Sequence, residues 1–235
     1  MHFDPPLTEA TLLRRYKRFL ADVRTADGRE FTAHCPNTGS MLGCMMPGSR
    51  VWLSRSDDPK RKYAHTWQLV EADGTSVGIN TGLANRLVEE ALADGVITEL
   101  AQWPEVRREV RYGARRSRID LLLGNGASQC YVEVKNVTAA VEDGVAVFPD
   151  AVSTRGTRHL EELMLMREAG QDAALVFCVQ RADVTRVRPA DDIDPVYGAR
   201  LREAADAGVQ VLAYGADVSP EAVRLVRALD VDLSP

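Results

Sequence analysis

Several absences narrow this chain of 235 residues before any motif is read. Its four cysteines, Cys35, Cys44, Cys130 and Cys178, are scattered, and no Cys-x-x-Cys pair exists from which a zinc ribbon or a redox motif could be built. They read as reduced core thiols. No apolar run reaches bilayer length, and the opening Met-His-Phe-Asp-Pro-Pro lacks the basic-then-apolar order of a signal peptide. A cytoplasmic protein with no membrane partner is expected. Nor is there an excess of basic charge: a formal net charge of −5 argues against indiscriminate coating of nucleic acid and leaves binding to local patches. No internal repeat and no low-complexity tract is present. What remains is 45% hydrophobic residues, enough core for one large domain or two modest ones.

The organisation changes at Asn80. Before it, turn signals at Asp27-Gly28, Pro47-Gly48 and Asp73-Gly74 separate five short segments of strand character, at Tyr16–Arg24, Glu30–His34, Arg50–Ser54, Thr66–Glu71 and Ser76–Asn80. Five strands and no long helix in residues 1–80 predict a small barrel of the OB type, an all-β unit that binds single strands or oligosaccharides across one face. After it, residues 81–235 alternate helix and strand. Leu83, Leu87, Val88, Ala91 and Leu92 recur at helical spacing towards Gly95. A strand at Val106–Tyr112, a hairpin, a short strand at Val145–Phe148, a helix over Thr154–Ala169, a buried strand over Ala173–Val179, a helix over Val196–Ala207 and a strand at Val209–Tyr214 follow. Ser219-Pro220, a cap and a first-turn proline, predicts a last helix.

The hairpin carries the chemistry. From Arg118 to Lys135, two apolar strand-length runs flank Gly-Asn-Gly-Ala. A Gly126-Ala127 loop sets Asp120 across from Glu133, with Cβ atoms roughly 5 Å apart; an Asn125-Gly126 loop sets it across from Tyr131 instead. Strand alternation puts Lys135 on the face of Glu133 and Asp120, and Ile119, Leu121 and Leu123 together on the other. Apolar residues on both faces predict a central strand pair. Opposed carboxylates held from water cost several kcal/mol unless compensated, and a hard divalent ion, Mg²⁺ or Mn²⁺, would compensate both while activating a water against a phosphodiester beside Lys135.

The stretches His34-Cys35-Pro36-Asn37-Thr38-Gly39-Ser40-Met41, Tyr112-Gly113 with Ser117-Arg118-Ile119-Asp120, Tyr131-Val132-Glu133-Val134-Lys135, and Phe148-Pro149-Asp150-Ala151-Val152 followed by Arg155-Gly156 and His159-Leu160 resemble the sugar fermentation stimulation protein family (SfsA) over nearly the full length. The resemblance implies a bacterial or archaeal DNA-binding protein with an N-terminal OB-like domain, a C-terminal α/β domain of the PD-(D/E)xK nuclease type and a regulatory link to sugar metabolism. Carried onto matching positions, it makes Asp120 and Glu133 metal ligands and Lys135 the residue that orients water or steadies developing charge.

A third acid in such folds comes from the first helix. Glu90, closer than Glu89 to the buried stripe, is preferred as a catalytic ligand. Arg155 and His159, four apart on one helix face, are placed to reach a phosphate. Arg115, Arg116 and Arg118, in a run that includes Arg107, Arg108 and Arg111, form one candidate DNA surface. Arg14, Arg15, Lys17 and Arg18 with Lys60, Arg61 and Lys62, near Trp67 as a base-stacking aromatic, form a second. The loop Pro36–Ser40 either contacts a nucleotide or ties down a turn. Expected partners are DNA, with RNA as a second option, and a homodimer is left open. The rival reading is a non-catalytic DNA-binding regulator using the nuclease-like domain as a scaffold.

Overall fold

In the computed structural model, which describes residues 1–113, 117–126, 128–142 and 144–234, the first six strands are β1 (Thr8–Tyr16), β2 (Leu20–Arg24), β3 (Glu30–His34), β4 (Arg50–Arg55), β5 (His65–Ala72) and β6 (Thr75–Gly78). They run β3-β2-β1-β4-β5-β6, and His34 of β3 pairs with Thr66 of β5, which closes five of them into a barrel. Closure removes the open edges that a small sheet would otherwise expose. Leu12, Val23, Val51, Leu53, Trp67 and Val70 fill the interior. The expected strand over Tyr16–Arg24 is instead the end of β1 and the whole of β2, separated by a turn in which Lys17 and Arg18 take positive φ of 49° and 64°. A bulge between Leu12 and Arg14 explains why alternation is faint there: the extra residue shifts the inside-outside pattern midway. Trp67 is fully buried and donates its indole N–H to the Leu69 carbonyl at 2.8 Å, so it offers no face to a base.

The second half begins with a short 3-10 turn over Thr81–Leu83, capped by Asn80, and continues through α1 (Ala84–Ala93), β7 (Glu105–Tyr112), β8 (Ser117–Asn125), β9 (Ser128–Val137), β10 (Ala140–Glu142), β11 (Gly144–Phe148) and α2 (Thr154–Glu168). Then come β12 (Asp172–Val179), β13 (Val184–Pro189), α3 (Pro195–Asp206), β14 (Gln210–Val218), β15 (Val223–Ala228) and β16 (Asp230–Val231). The main sheet is ordered β15-β14-β12-β9-β8-β7, with β9, β12 and β14 parallel and the outer pairs antiparallel. A smaller sheet, β10-β11-β13-β16, lies beside it. Leu87, Val88 and Ala91 of α1 cover one face of the main sheet, and Leu160, Leu163 and Leu201 of α2 and α3 cover the other. Each such buried Leu or Val contributes on the order of 1.5–3 kcal/mol.

Two features depart from expectation. No helix follows Ser219-Pro220: Ser219 and Ala222 exchange backbone bonds in a turn, and β15 pairs with β14. Buried Val223 and Leu225 alternate with exposed Arg224 and Val226, a period of two that outweighs the cap-and-proline signal. The first residues also leave the barrel. Met1 donates to the Val223 carbonyl at 2.8 Å and Phe3 N–H to that of Glu221 at 2.9 Å. Met1, Phe3, Trp52 and Leu69 join the core under α1, so the barrel and the α/β unit share packing.

Candidate active site

The β8–β9 hairpin takes the first of its two candidate registers. Leu121 pairs with Val132 and Asn125 with Ser128, which brings Asp120 across from Glu133. Its strands are central in the sheet, with β7 on one side and β12 on the other. Val132 and Val134 face α1, and Glu133 and Lys135 therefore project towards α2. Ile119 does not follow Leu121 and Leu123: it packs with Leu122 and Leu160 on the α2 side. The reason lies on β7, where Glu109, opposite Asp120, has φ of +53° and drops out of the ladder between the Arg108–Leu121 and Val110–Ile119 pairs. Asp120 thus sits where the sheet's alternation breaks.

Each carboxylate is held by the protein. Asp120 Oδ2 accepts from the Val134 N–H at 2.8 Å and Oδ1 from the Asn85 side chain of α1 at 3.0 Å. Glu133 is 3% exposed. Its Oε1 accepts from Lys135 Nζ at 2.7 Å and from His159 Nδ1. Arg155 Nε donates to His159 Nε2 at 3.2 Å, so the hydrogen-bond network assigns the ring hydrogen to Nδ1, facing Glu133. Glu133 Oε2 is buried and has no partner among the described residues. Burial pushes the Asp120 carboxyl up, and the charge of Glu133 pushes it further, against the Val134, Asn85 and Lys135 contributions. Burial also raises Glu133, but His159 and Lys135 outweigh it and hold it below the usual range. Such a divergence between neighbouring carboxyls is a mark of functional sites.

The pair opens into a cleft of about 440 Å³ lined by Asn85, Glu109, Asp120, Glu133, Lys135, Arg155 and His159. A second hollow continues past Arg155 to Ser117, Arg118 and Arg158. Glu90 is not at this cleft. Its oxygens meet the Met1 ammonium at 2.7 Å and Arg86 at 2.8 Å, and Glu89 pairs with Arg108. Although Glu109 shares the cleft, among the described residues no three His, Cys, Asp or Glu side chains are placed to hold one metal ion. α1 contributes an amide, Asn85, in place of an acid. Sequence reasoning missed Asn85, Glu109 and Arg158; Glu109 was traceable as the residue opposite Asp120 once β7 and β8 pair, and Arg158 as the next turn after Arg155.

The predicted basic surfaces fare unequally. Arg155 lines the cleft and Arg118 the hollow that continues from it, while Arg115 and Arg116 lie outside the described residues. In the barrel, Arg14 pairs with Asp22 at 2.8 Å, and Arg15 donates to the carbonyls of Arg18, Asn37 and Gly39. Arg18 donates to the Thr38 carbonyl at 3.1 Å and Arg61 to the Thr66 hydroxyl at 2.8 Å. Lys62 lies over the Tyr63 ring, and Lys17 and Lys60 are exposed. Most of these arginines therefore tie the barrel's own loops.

Comparison with known proteins gives the lineage. Residues 13–79 match the SfsA N-terminal OB domain and residues 82–222 the sugar fermentation stimulation protein RE domain. The chain belongs to the SfsA family. A sugar fermentation stimulation protein homolog of Thioalkalivibrio sulfidiphilus is 76% identical over 100% of this chain and 99% of its own, and one of Alkalilimnicola ehrlichii is 58% identical over 98% and 99%. Among solved structures, Pyrococcus furiosus SfsA in complex with Ca²⁺ superposes with a TM-score of 0.88 at 29% identity, covering 99% of this chain and 98% of that one. The OB-like barrel followed by a mixed α/β domain is thus the family's architecture. No helix of the described SfsA chain is long and apolar enough to cross a membrane.

Proposed function

We propose that the chain binds DNA and hydrolyses phosphodiester bonds with a divalent ion, Mg²⁺ or Mn²⁺, held by Asp120 and Glu133. One observation carries this reading: the buried, unpartnered Oε2 of Glu133, beside an Asp120 whose carboxyl is pushed up by Glu133's charge. Buried oxygens left unmatched cost stability, and two carboxylates are the hard donor set that such cations take. The relative from Pyrococcus furiosus, of the same fold, was solved with Ca²⁺. When bound, the ion would polarise the phosphodiester and make water a nucleophile at neutral pH. The chain's own residues do the rest. Lys135, anchored to Glu133, holds a positive charge at the cleft for the developing phosphorane. His159 fixes the orientation of Glu133 through Nδ1–H, and Arg155, Arg118 and Arg158 face the phosphates on either side of the scissile one. Four free, buried cysteines fit a reducing cytoplasm.

A second reading, a DNA-binding regulator with no turnover, is favoured by the finding that, among the described residues, no three His, Cys, Asp or Glu side chains are placed to hold one metal ion. One assay separates them: wild type and Glu133→Ala are incubated with single- and double-stranded DNA and with RNA, in Mg²⁺, Mn²⁺ or chelator, and retention and cleavage are both followed. Metal-dependent cleavage lost in the variant supports the nuclease. Retention without cleavage under every condition, with the fold intact, supports the regulator.

A further inference from the structure

A separate hollow, of about 170 Å³, lies between the barrel and the α/β unit. One wall is the loop of residues 36–40, whose backbone is tied down throughout. Arg15 holds the carbonyls of Asn37 and Gly39, each at 2.9 Å, and Arg18 holds that of Thr38. Ser40 Oγ donates to the Asp150 carbonyl at 2.6 Å, and the Met41 N–H donates to Asp150 Oδ2 at 2.9 Å. The opposite wall is the end of β9 with Thr138, Phe148 and Asp150. Thr81 and Asn136 line both this hollow and the acid-bearing cleft, so a chain whose phosphate sits at Asp120 and Glu133 passes its mouth.

The lining chemistry selects the occupant. No lysine or arginine lines the hollow and Asp150 does, which disfavours a phosphate. Asn37, 4% exposed, spends its Oδ1 on the Gly39 N–H at 2.8 Å, and Asn136 spends its Oδ1 on Gln180 at 2.5 Å. Each carboxamide NH₂ is left without a protein partner among the described residues, next to the Thr38 side chain and the apolar flank of Val137 and Phe148. Fixed donors beside apolar surface, in a hollow of only about 170 Å³, match one neutral, flat group rich in acceptors. That is an unpaired nucleobase.

We infer that this hollow is a base-binding subsite that takes one unpaired nucleobase next to the phosphate held in the cleft. The inference rests on the phosphodiesterase reading and adds to it that the substrate is single-stranded, or extrudes a nucleotide, at the cleavage point.

Thr38 is exposed at the mouth, so Thr38→Phe blocks the hollow without disturbing packed residues, and Thr38→Ala controls for the loop. The full chain is titrated in chelator with a short fluorescein-labelled DNA, as single strand and as duplex, and with the same single strand carrying one 2-aminopurine. Wild type and Thr38→Ala are expected to prefer the single strand and to change the 2-aminopurine emission. Thr38→Phe is expected to lose single-strand affinity by about tenfold, the scale of one base contact, together with the emission change, while duplex affinity stays level. Equal single-strand affinity and an unaltered emission response in Thr38→Phe would overturn the subsite. As a check independent of any variant, free nucleosides should perturb wild-type NMR signals and inorganic phosphate should fail to displace them; no perturbation by nucleosides also counts against the subsite. The two readings fail separately: base insertion without cleavage in metal removes the nuclease and leaves the subsite, whereas undiminished cleavage by Thr38→Phe removes the subsite and leaves the nuclease.

Discussion

Glu90 of α1 and Asp120 of the β8–β9 hairpin belong to one domain, yet the fold moves their carboxyls in opposite directions. Glu89 meets Arg108, and Glu90 meets the Met1 ammonium and Arg86. Burial pushes the Glu90 carboxyl up, but these donors outweigh it and leave it below its ordinary value. Asp120 is raised by burial and then by Glu133, and Glu133 keeps one buried oxygen unmatched. An acid paired with a cation stabilises the fold. An acid left short of partners in the interior costs stability, and such a cost persists where binding or chemistry needs it. The contrast teaches that the residue type on a helix or strand says less about function than the balance of partners that tertiary packing supplies.

The sharpest way to break this contrast is Glu133→Gln. Cleavage should fall by about 10³-fold, the several kcal/mol a bound ion supplies, and calorimetry should show divalent-ion binding lost, while Glu90→Gln leaves both intact; the reverse result would exchange the roles of the two pairs. Lys135→Ala should lower cleavage by about 10²-fold with retention in a gel shift unchanged. Alanine at Arg118 or Arg155 should each reduce the slope of log affinity against log salt by about one, as loss of a phosphate contact does; Arg14→Ala, which breaks a pair with Asp22, should leave the slope alone.

The smallest effects carry the comparison furthest, because their signs differ. Glu90→Gln should lower Tm by about 1–3 °C at pH 7, since solvent screening at a carboxylate about a third exposed holds the loss below about 1 kcal/mol. Its depressed carboxyl provides stability that is complete above the ordinary value of 4.5 and is lost as pH falls through the folded value, where variant and wild type should converge. Asp120→Asn should instead raise Tm by a similar amount in chelator, since Asn85 can turn its oxygen to the new amide. The raised carboxyl makes the Asp120 charge a penalty at pH 7, and the penalty disappears as pH falls from the folded value towards the ordinary 3.8. A melting curve for Asp120→Asn below that of wild type would refute the account of the pair.

Much of the fold was legible, and the misses have physical causes. The three helices show in the 3.6-residue spacing of their buried faces, and the barrel in its turn residues. β15 was masked by a Ser-Pro cap signal whose propensity is weaker than the alternating burial of Val223 and Leu225. β13 and β16 pair only with strands distant in the chain, so no local pattern announces them. At the site, Asp120, Glu133 and Lys135 were legible together because a hairpin's register depends on a few residues of loop. The third-acid expectation at Glu90 rested on a helical stripe, which says which side of a helix is buried but not which chain end arrives beside it.

The sequence by itself determined the local periods and the hairpin that carries two acids and a lysine, because these follow from backbone geometry over a few residues. Only the tertiary structure decided that Met1 would neutralise Glu90, that Asn85 and His159 would hold Asp120 and Glu133, and that the loop of residues 36–40 would wall a hollow beside them. Those partners come from remote segments, and charge balance in a folded interior is set by whatever packing brings within a few ångströms.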